Sequence, residues 1–200
     1  EKGFLGLGFT NAPASIAPLG GIKAVVGTNP FSIAVPVNEK AEIIIDQSAS
    51  VVAKSEISVR AKTGEPIPDG WAFDSEGNVT TNAKEALKGT MAPCGGYKGF
   101  GTGLLVEILT ACLAGGNLGT QASSFSGEDG GPPSTGQFFI VIDPEKFNPN
   151  YTNSIKSLID SICAQEGARL PGSKRQEAFH KNQNQEIEIS EQLLERINQI

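Results

Sequence analysis

Two hundred residues, 38% of them hydrophobic, are enough for one domain with a real core and argue against global disorder. The net charge is −6, and no basic run exceeds the pair Lys174-Arg175, which argues against a nucleic-acid surface. No apolar run reaches the roughly 18 residues of a membrane span, and no signal-peptide pattern opens the chain.

The chain begins at Glu1 rather than Met and runs at once into an apolar segment, which reads as a fragment or a processed chain. Residues 4–9 read as a short buried strand. Pro13, Pro18 and Gly20-Gly21 then mark a loop. Residues 31–36 and 42–45 read as further strands, the latter ending at Asp46. Such short, unalternated apolar runs suit strands covered on both faces. Residues 50–62 are expected to be helical, 63–81 turn-rich, and 82–87 a short helix ended by Gly89. A glycine-rich loop, 95–101, opens an apolar helix over 104–114 that Gly115-Gly116 terminates. Residues 123–136 form a polar, glycine-rich loop, and 137–143 the clearest strand. An amphipathic helix follows over 153–165, and Ser190 caps a last one. Strands mixed with helices, without strict alternation, predict an α/β domain with a mixed sheet. Residues 1–150 are expected to form that domain, with 151–200 a helical segment packed on it.

Three cysteines, with no Cys-x-x-Cys pair, suggest neither a disulfide framework nor a zinc cage, and no metal is expected. Cys112 and Cys163 fall on apolar helical faces and are read as buried thiols in a reducing cytoplasm.

Four features could carry chemistry. The glycine loop offers close backbone approach, a helix N-terminus and the cation Lys98, which together suit a phosphate; tight helix packing explains the glycines equally well. It matches neither the Walker pattern nor Gly-x-Gly-x-x-Gly. Asp46 stands just past a strand, with Gln47, Ser48 and Ala49 leaving room for a ligand; the alternative is a cap on the next helix. Leu170-Pro171-Gly172-Ser173-Lys174-Arg175 could grip a phosphate or be a solvated basic turn. His180, the one histidine, sits in a polar stretch and reads as a surface residue, while Trp71 reads as a core anchor or a stacking platform.

Five blocks, in order, resemble one family. The first combines Thr10-Asn11-Ala12-Pro13, Ala17-Pro18-Leu19-Gly20-Gly21 and Gly27-Thr28-Asn29-Pro30. The second is Asp46-Gln47-Ser48-Ala49-Ser50 with Val52-Ala53-Lys54. The third is Gly64-Glu65-Pro66-Ile67-Pro68-Asp69-Gly70-Trp71 with Thr80-Thr81. Gly95-Gly96-Tyr97-Lys98-Gly99 and Leu170-Pro171-Gly172 complete the set. Over about residues 3–178 the chain resembles the malate/L-lactate dehydrogenase type of oxidoreductase, which lacks a Rossmann fold.

That resemblance implies a mixed-sheet α/β dinucleotide-binding domain with additional C-terminal helices, a homodimer, and NAD or NADP held extended. It implies hydride transfer between the nicotinamide and a C=O or C=N carbon beside a carboxylate. Carried over by position, the cofactor seat comprises Thr10, Asn11, Ala12, Pro13, Asp46, Gln47, Ser48, Lys98, Gly99, Gly172, Ser173, Lys174 and Arg175. Asp46 is also the in-chain candidate for a polar catalytic role near the nicotinamide. NAD-using relatives often carry an acidic residue in the last turn; Lys174 and Arg175 there imply NADP. The family's catalytic histidine is expected upstream of residue 1. Gly130-Gly131-Pro132-Pro133 resembles the branch that reduces Δ1-piperideine-2-carboxylate and Δ1-pyrroline-2-carboxylate. The alternatives are an NAD-dependent malate or lactate dehydrogenase and a non-catalytic cofactor-binding remnant.

Overall fold

A computed structural model describes residues 2–125, 130–186 and 188–199, so part of the loop expected over 123–136 lies outside the described residues. The elements run β1 (Leu5–Thr10), β2 (Phe31–Val37), β3 (Lys40–Gln47), α1 (Lys54–Thr63), β4 (Ala72–Phe73), α2 (Ala83–Ala86) and β5 (Thr90–Met91). They continue with α3 (Tyr97–Glu107), a π-helical turn (Ile108–Leu113), β6 (Gln137–Ile142), α4 (Pro144–Phe147), α5 (Tyr151–Cys163), α6 (Ser173–Asn182) and α7 (Glu191–Asn198).

The main sheet has the order β3-β2-β1-β6. A two-residue turn at Asn38 and Glu39 joins β2 to β3, with Asn38 at φ 56° as a tight hairpin demands. So short a link can connect only antiparallel neighbours. β1 pairs antiparallel with both β2 and β6 as well. The α/β class therefore stands, but the mixed sheet expected from the sequence is, among the described strands, antiparallel throughout.

The strands are not covered on both faces either. Phe139 and Val141 on β6 are each 66% exposed, while Phe138, Ile140 and Ile142 between and beside them are half-buried. By register, Val141 and Phe139 share their open face with Gly6, Gly8, Ala34, Ser32, Ile44 and Asp46.

The core lies beside the sheet. Ile16, Val26, Ile57, Ile67 and Met91 are buried together with alanines of α1, β4 and α2. Trp71 packs half-buried against this cluster, and the Arg60 guanidinium covers its ring at 5.3 Å, so Trp71 is a core anchor. Asn82 caps α2, accepting bonds from the Lys84 and Glu85 amides.

From Tyr97 on, the glycine-rich stretch is helix rather than loop, since α3 starts there and not at Leu104, and only Gly95 and Gly96 remain outside it. Glycine is a poor helix former. At Gly99, however, a Cβ would overlap the Cys94 carbonyl and come within 2.8 Å of the Ala49 carbonyl. Close packing that only glycine permits outweighs propensity here.

α5 meets the sheet through Tyr151, whose hydroxyl donates to the Pro36 carbonyl at 3.1 Å and is pushed to a higher pKa by burial. α6 covers residues read in the sequence as a basic turn and a polar stretch. Ser190 caps α7 as the sequence predicts, accepting from the Leu193 amide at 3.3 Å. Cys94, Cys112 and Cys163 are all exposed. The buried thiols expected at Cys112 and Cys163 are thus corrected, because the helix faces that carry them are left open to solvent. No helix among the described residues is long and apolar enough to cross a membrane.

Candidate functional site

β1 and β3 flank β2 and are each antiparallel to it, so they run in the same direction and end together. Thr10, Asn11, Ala12 and Pro13 leave the sheet at that end from β1. Asp46 and Gln47 close β3, and Ser48 follows. Residues 28–30 tie the two exits: the Thr10 amide donates to the Pro30 carbonyl at 3.1 Å, and the Ala49 amide to the Thr28 carbonyl at 2.7 Å. Ser48 and Ser50 join hydroxyls at 3.1 Å, which folds the segment after β3 on itself.

The same segment meets α3. The Cys94 amide donates to the Ala49 carbonyl at 2.8 Å, and Gly99 is buried against both residues. Lys98, its neighbour, is exposed.

The basic turn docks along the free edge of β3. The Ile44 amide donates to the Pro171 carbonyl at 3.0 Å. Gly172 adopts φ 89°, and a Cβ there would lie 2.8 Å from the Ile44 Cβ, so this turn requires glycine twice over. α6 then starts at Ser173, and the Arg175 guanidinium donates to Asp46 Oδ2 at 2.8 Å. Asp46 therefore does not cap α1, which starts at Lys54 behind Ala53 without a side-chain cap.

A recess of about 430 Å³ opens at this junction, lined by Asp46, Gln47, Arg169, Gly172, Lys174 and Arg175 among others. Three cations face one carboxylate, and the first turn of α6 borders the recess. Ser173, between Gly172 and Lys174, is not among the lining residues, and its hydroxyl oxygen is buried without a hydrogen-bond partner. A phosphate-bearing ligand suits such a set, since cations and a helix N-terminus both attract anionic oxygens. A larger recess of about 530 Å³, lined by Leu19, Ile22, Phe73, Met91, Tyr97 and Phe100 among others, is mostly apolar and holds none of the expected site residues.

Of the expected residues, then, Asp46, Gln47, Gly172, Lys174 and Arg175 line one recess, while Ser173 turns its hydroxyl oxygen inward. Ser48 follows Gln47 and precedes Ala49, whose carbonyl meets Cys94 and Gly99. Asn11 and Ala12 are buried, and the Asn11 side chain is committed within the protein. It accepts from the Gly136 amide at 2.8 Å and donates to the Asn117 carbonyl at 2.8 Å. His180 is exposed on α6, edge-on to Phe179 at 5.8 Å, and does not line the recess.

Sequence reasoning missed Arg169, Asn29 and Glu107. Glu107 is only 4% exposed, and Asn29 donates to its Oε2 at 2.7 Å. The one visible signal was an acidic residue interrupting an otherwise apolar helical run, Leu104-Leu105-Val106-Glu107-Ile108-Leu109.

A family model described as malate/L-lactate dehydrogenase matches residues 1–198. The chain is 39% identical to a (2R)-3-sulfolactate dehydrogenase (NADP(+)) of Chromohalobacter salexigens, over 98% of this chain and 59% of the relative. It is 34% identical to a Δ1-pyrroline-2-carboxylate reductase of Ancylobacter novellus, over 94% of this chain and 57% of the relative. Among solved structures, Δ1-piperideine-2-carboxylate reductase from Pseudomonas syringae superposes with a TM-score of 0.88 at 29% identity, over 98% of this chain and 60% of that one. The chain thus spans under two thirds of the length of these relatives.

Proposed function

The chain belongs to the malate/L-lactate dehydrogenase family, and from that membership we propose that it is the dinucleotide-holding part of an oxidoreductase acting on a small 2-oxo acid or cyclic 2-imino acid. The observation that carries this reading is the basic recess at the β3–α6 junction, connected through residues 46–50 to the start of α3. Lys174 and Arg175 would hold a 2′-phosphate, which favours NADP over NAD, with the buried Ser173 shaping the turn that carries them. Thr10, Asn11, Ala12 and Pro13, with Gln47, Ser48, Lys98 and Gly99, would bound the rest of the seat. Asn11 and Ala12, being buried, would act by shaping it.

Asp46 is assigned to the phosphate end, where it orients Arg175. The sequence-based alternative, a polar role beside the nicotinamide, fits less well, because one carboxylate cannot serve both ends of an extended dinucleotide. When bound, the nicotinamide supplies or accepts the hydride, and the chain's own residues bind and orient it. His180 is exposed on α6 and lines neither recess, so it is not assigned the role of proton donor.

The relatives divide the substrate reading in two. The 39% identity to a sulfolactate dehydrogenase favours a 2-oxo acid carrying a second anionic group. The superposition on the piperideine-2-carboxylate reductase, together with residues 130–133, favours the cyclic imine. The reading extends to a homodimer in the cytoplasm, which light scattering and fractionation would test. The functional experiment uses the full-length protein. NADPH and NADH oxidation is followed with 3-sulfopyruvate, Δ1-pyrroline-2-carboxylate, Δ1-piperideine-2-carboxylate, oxaloacetate and pyruvate side by side. Saturable turnover of one class with NADPH supports the reading, and no turnover with any of them removes it.

A further inference from the structure

Glu107 stands at the junction between α3 and the π-helical turn, and it is a buried carboxylate with no cation within salt-bridge distance among the described residues. Burying such a group is costly unless its oxygens are fully bonded. They are. Oε1 accepts from the Gly119 amide and, at 3.5 Å, from Asn11 Nδ2; Oε2 accepts from Asn29 Nδ2 at 2.7 Å. Asn29 in turn accepts from the Ala12 amide at 3.0 Å and donates to the Gly103 carbonyl at 2.8 Å. One carboxylate therefore fixes the exit of β1, the 28–30 bridge, the body of α3 and the loop at 117–119.

We infer that Glu107 is a positioning residue for the dinucleotide seat, setting residues 10–13 and 117–119 against α3. This rests on the functional reading above and adds to it a residue remote from the basic turn. The chemistry requires a carboxylate rather than an amide. Among the described residues, every group bonded to the Glu107 carboxylate is an N–H donor, and the amide of a glutamine would turn its own N–H groups towards either Asn29 or Gly119 and Asn11. Pro13 and Gly119, which this network places, line a common recess of about 410 Å³ with Lys54, so the network shapes an open surface as well as a buried joint.

The test compares Glu107→Gln with Val106→Ala in the full-length protein. Val106 is fully buried next to Glu107 but takes no side-chain part in the network, so its truncation matches a loss of stability without touching the polar bonds. Well below both melting temperatures, Glu107→Gln is expected to raise the Kd and KM for NADPH at least about tenfold, with kcat at saturating NADPH within about twofold. Val106→Ala is expected to keep the NADPH Kd within about twofold of wild type. Equal Kd changes in the two variants, or none in Glu107→Gln, would overturn the inference. Should Glu107→Gln fail to fold, hydrogen exchange on the unaltered protein decides: NADPH must slow exchange in peptides covering 10–13 and 117–119, and unchanged exchange there overturns it. If the unaltered protein binds neither NADPH nor NADH, the functional reading itself fails and this inference goes with it. Normal binding by wild type and Glu107→Gln alike removes only the positioning role.

Discussion

Arg175 and Asp46, 129 positions apart in the chain, meet at 2.8 Å and join the basic turn to the end of β3. The arginine side chain is 76% exposed and the aspartate 47%, so the pair contributes little to stability and presents a guanidinium at a fixed place. Arg175→Ala in the full-length protein is expected to weaken NADPH about tenfold or more while changing NADH affinity less than about threefold. Lys174→Ala should act in the same direction. Titrations with both dinucleotides check this, and equal losses for the two would contradict the assignment of the 2′-phosphate to this turn. Asp46→Asn should alter thermal stability by no more than about 1 kcal/mol.

Two glycines of α3, two residues apart, are expected to respond oppositely to alanine. Gly99→Ala drives a methyl into the Cys94 carbonyl, a backbone atom that cannot swing aside, and should cost about 1–3 kcal/mol. Gly101 faces open space, and its replacement by alanine should stabilise the helix by about 0.5–1 kcal/mol. Denaturant melts of the two variants check the sign of each change.

Asp74 closes the loop between β4 and residue 79, accepting from the Glu76 and Asn78 amides, each at 2.9 Å. The bond from the Asn78 amide is the largest influence and holds the carboxyl below its ordinary value of 3.8. A folded-state value below the unfolded one makes this contribution complete above pH 3.8, and it is lost as the pH falls through the lowered value. Asp74→Asn should therefore melt below wild type near neutral pH, with the gap closing in acid. A gap as wide at about pH 2.5 as at about pH 7 would refute this account.

Asn82→Ala removes the side chain that accepts from two amides at the start of α2. A loss of about 1 kcal/mol is expected, and a change below the error of a chemical melt would show that the cap is dispensable.

The four strands of the main sheet were legible as short apolar runs bounded by turn residues, whereas the two-residue strands β4 and β5 are too short to leave a pattern. The pairing of the four was not, since the direction of β6 against β1 depends on contacts that no local pattern encodes. The helix over 173–182 escaped notice because Ser173-Lys174-Arg175-Gln176-Glu177-Ala178-Phe179-His180 offers no apolar stripe; it buries no residue and is organised by bonds from Arg175 and Gln176 to β3. The start of α3 was misplaced because three glycines in its first turns mimic a loop, and only the proximity of Ala49 and Cys94 explains them. The basic turn and Asp46 were both visible as candidates, but their contact was not. Glu107 was hidden by its apolar neighbours, since an acid on a helix reads as surface until its partners come from elsewhere in the chain.

The π-helical turn at Ile108–Leu113 imposes a constraint of length rather than composition. Its wide bonds, such as Ala114 to Leu109, accommodate an extra residue per turn, and one residue corresponds to about 100° of helical rotation. Leu113 and Ile108 are 65% and 47% exposed, so changes of side chain there meet little resistance. Deleting any one of the six would restore ordinary winding and swing the following chain away from Ser134, whose carbonyl receives the Asn117 amide at 2.9 Å. Natural variation at this place should consequently consist of exchanges, never of gaps.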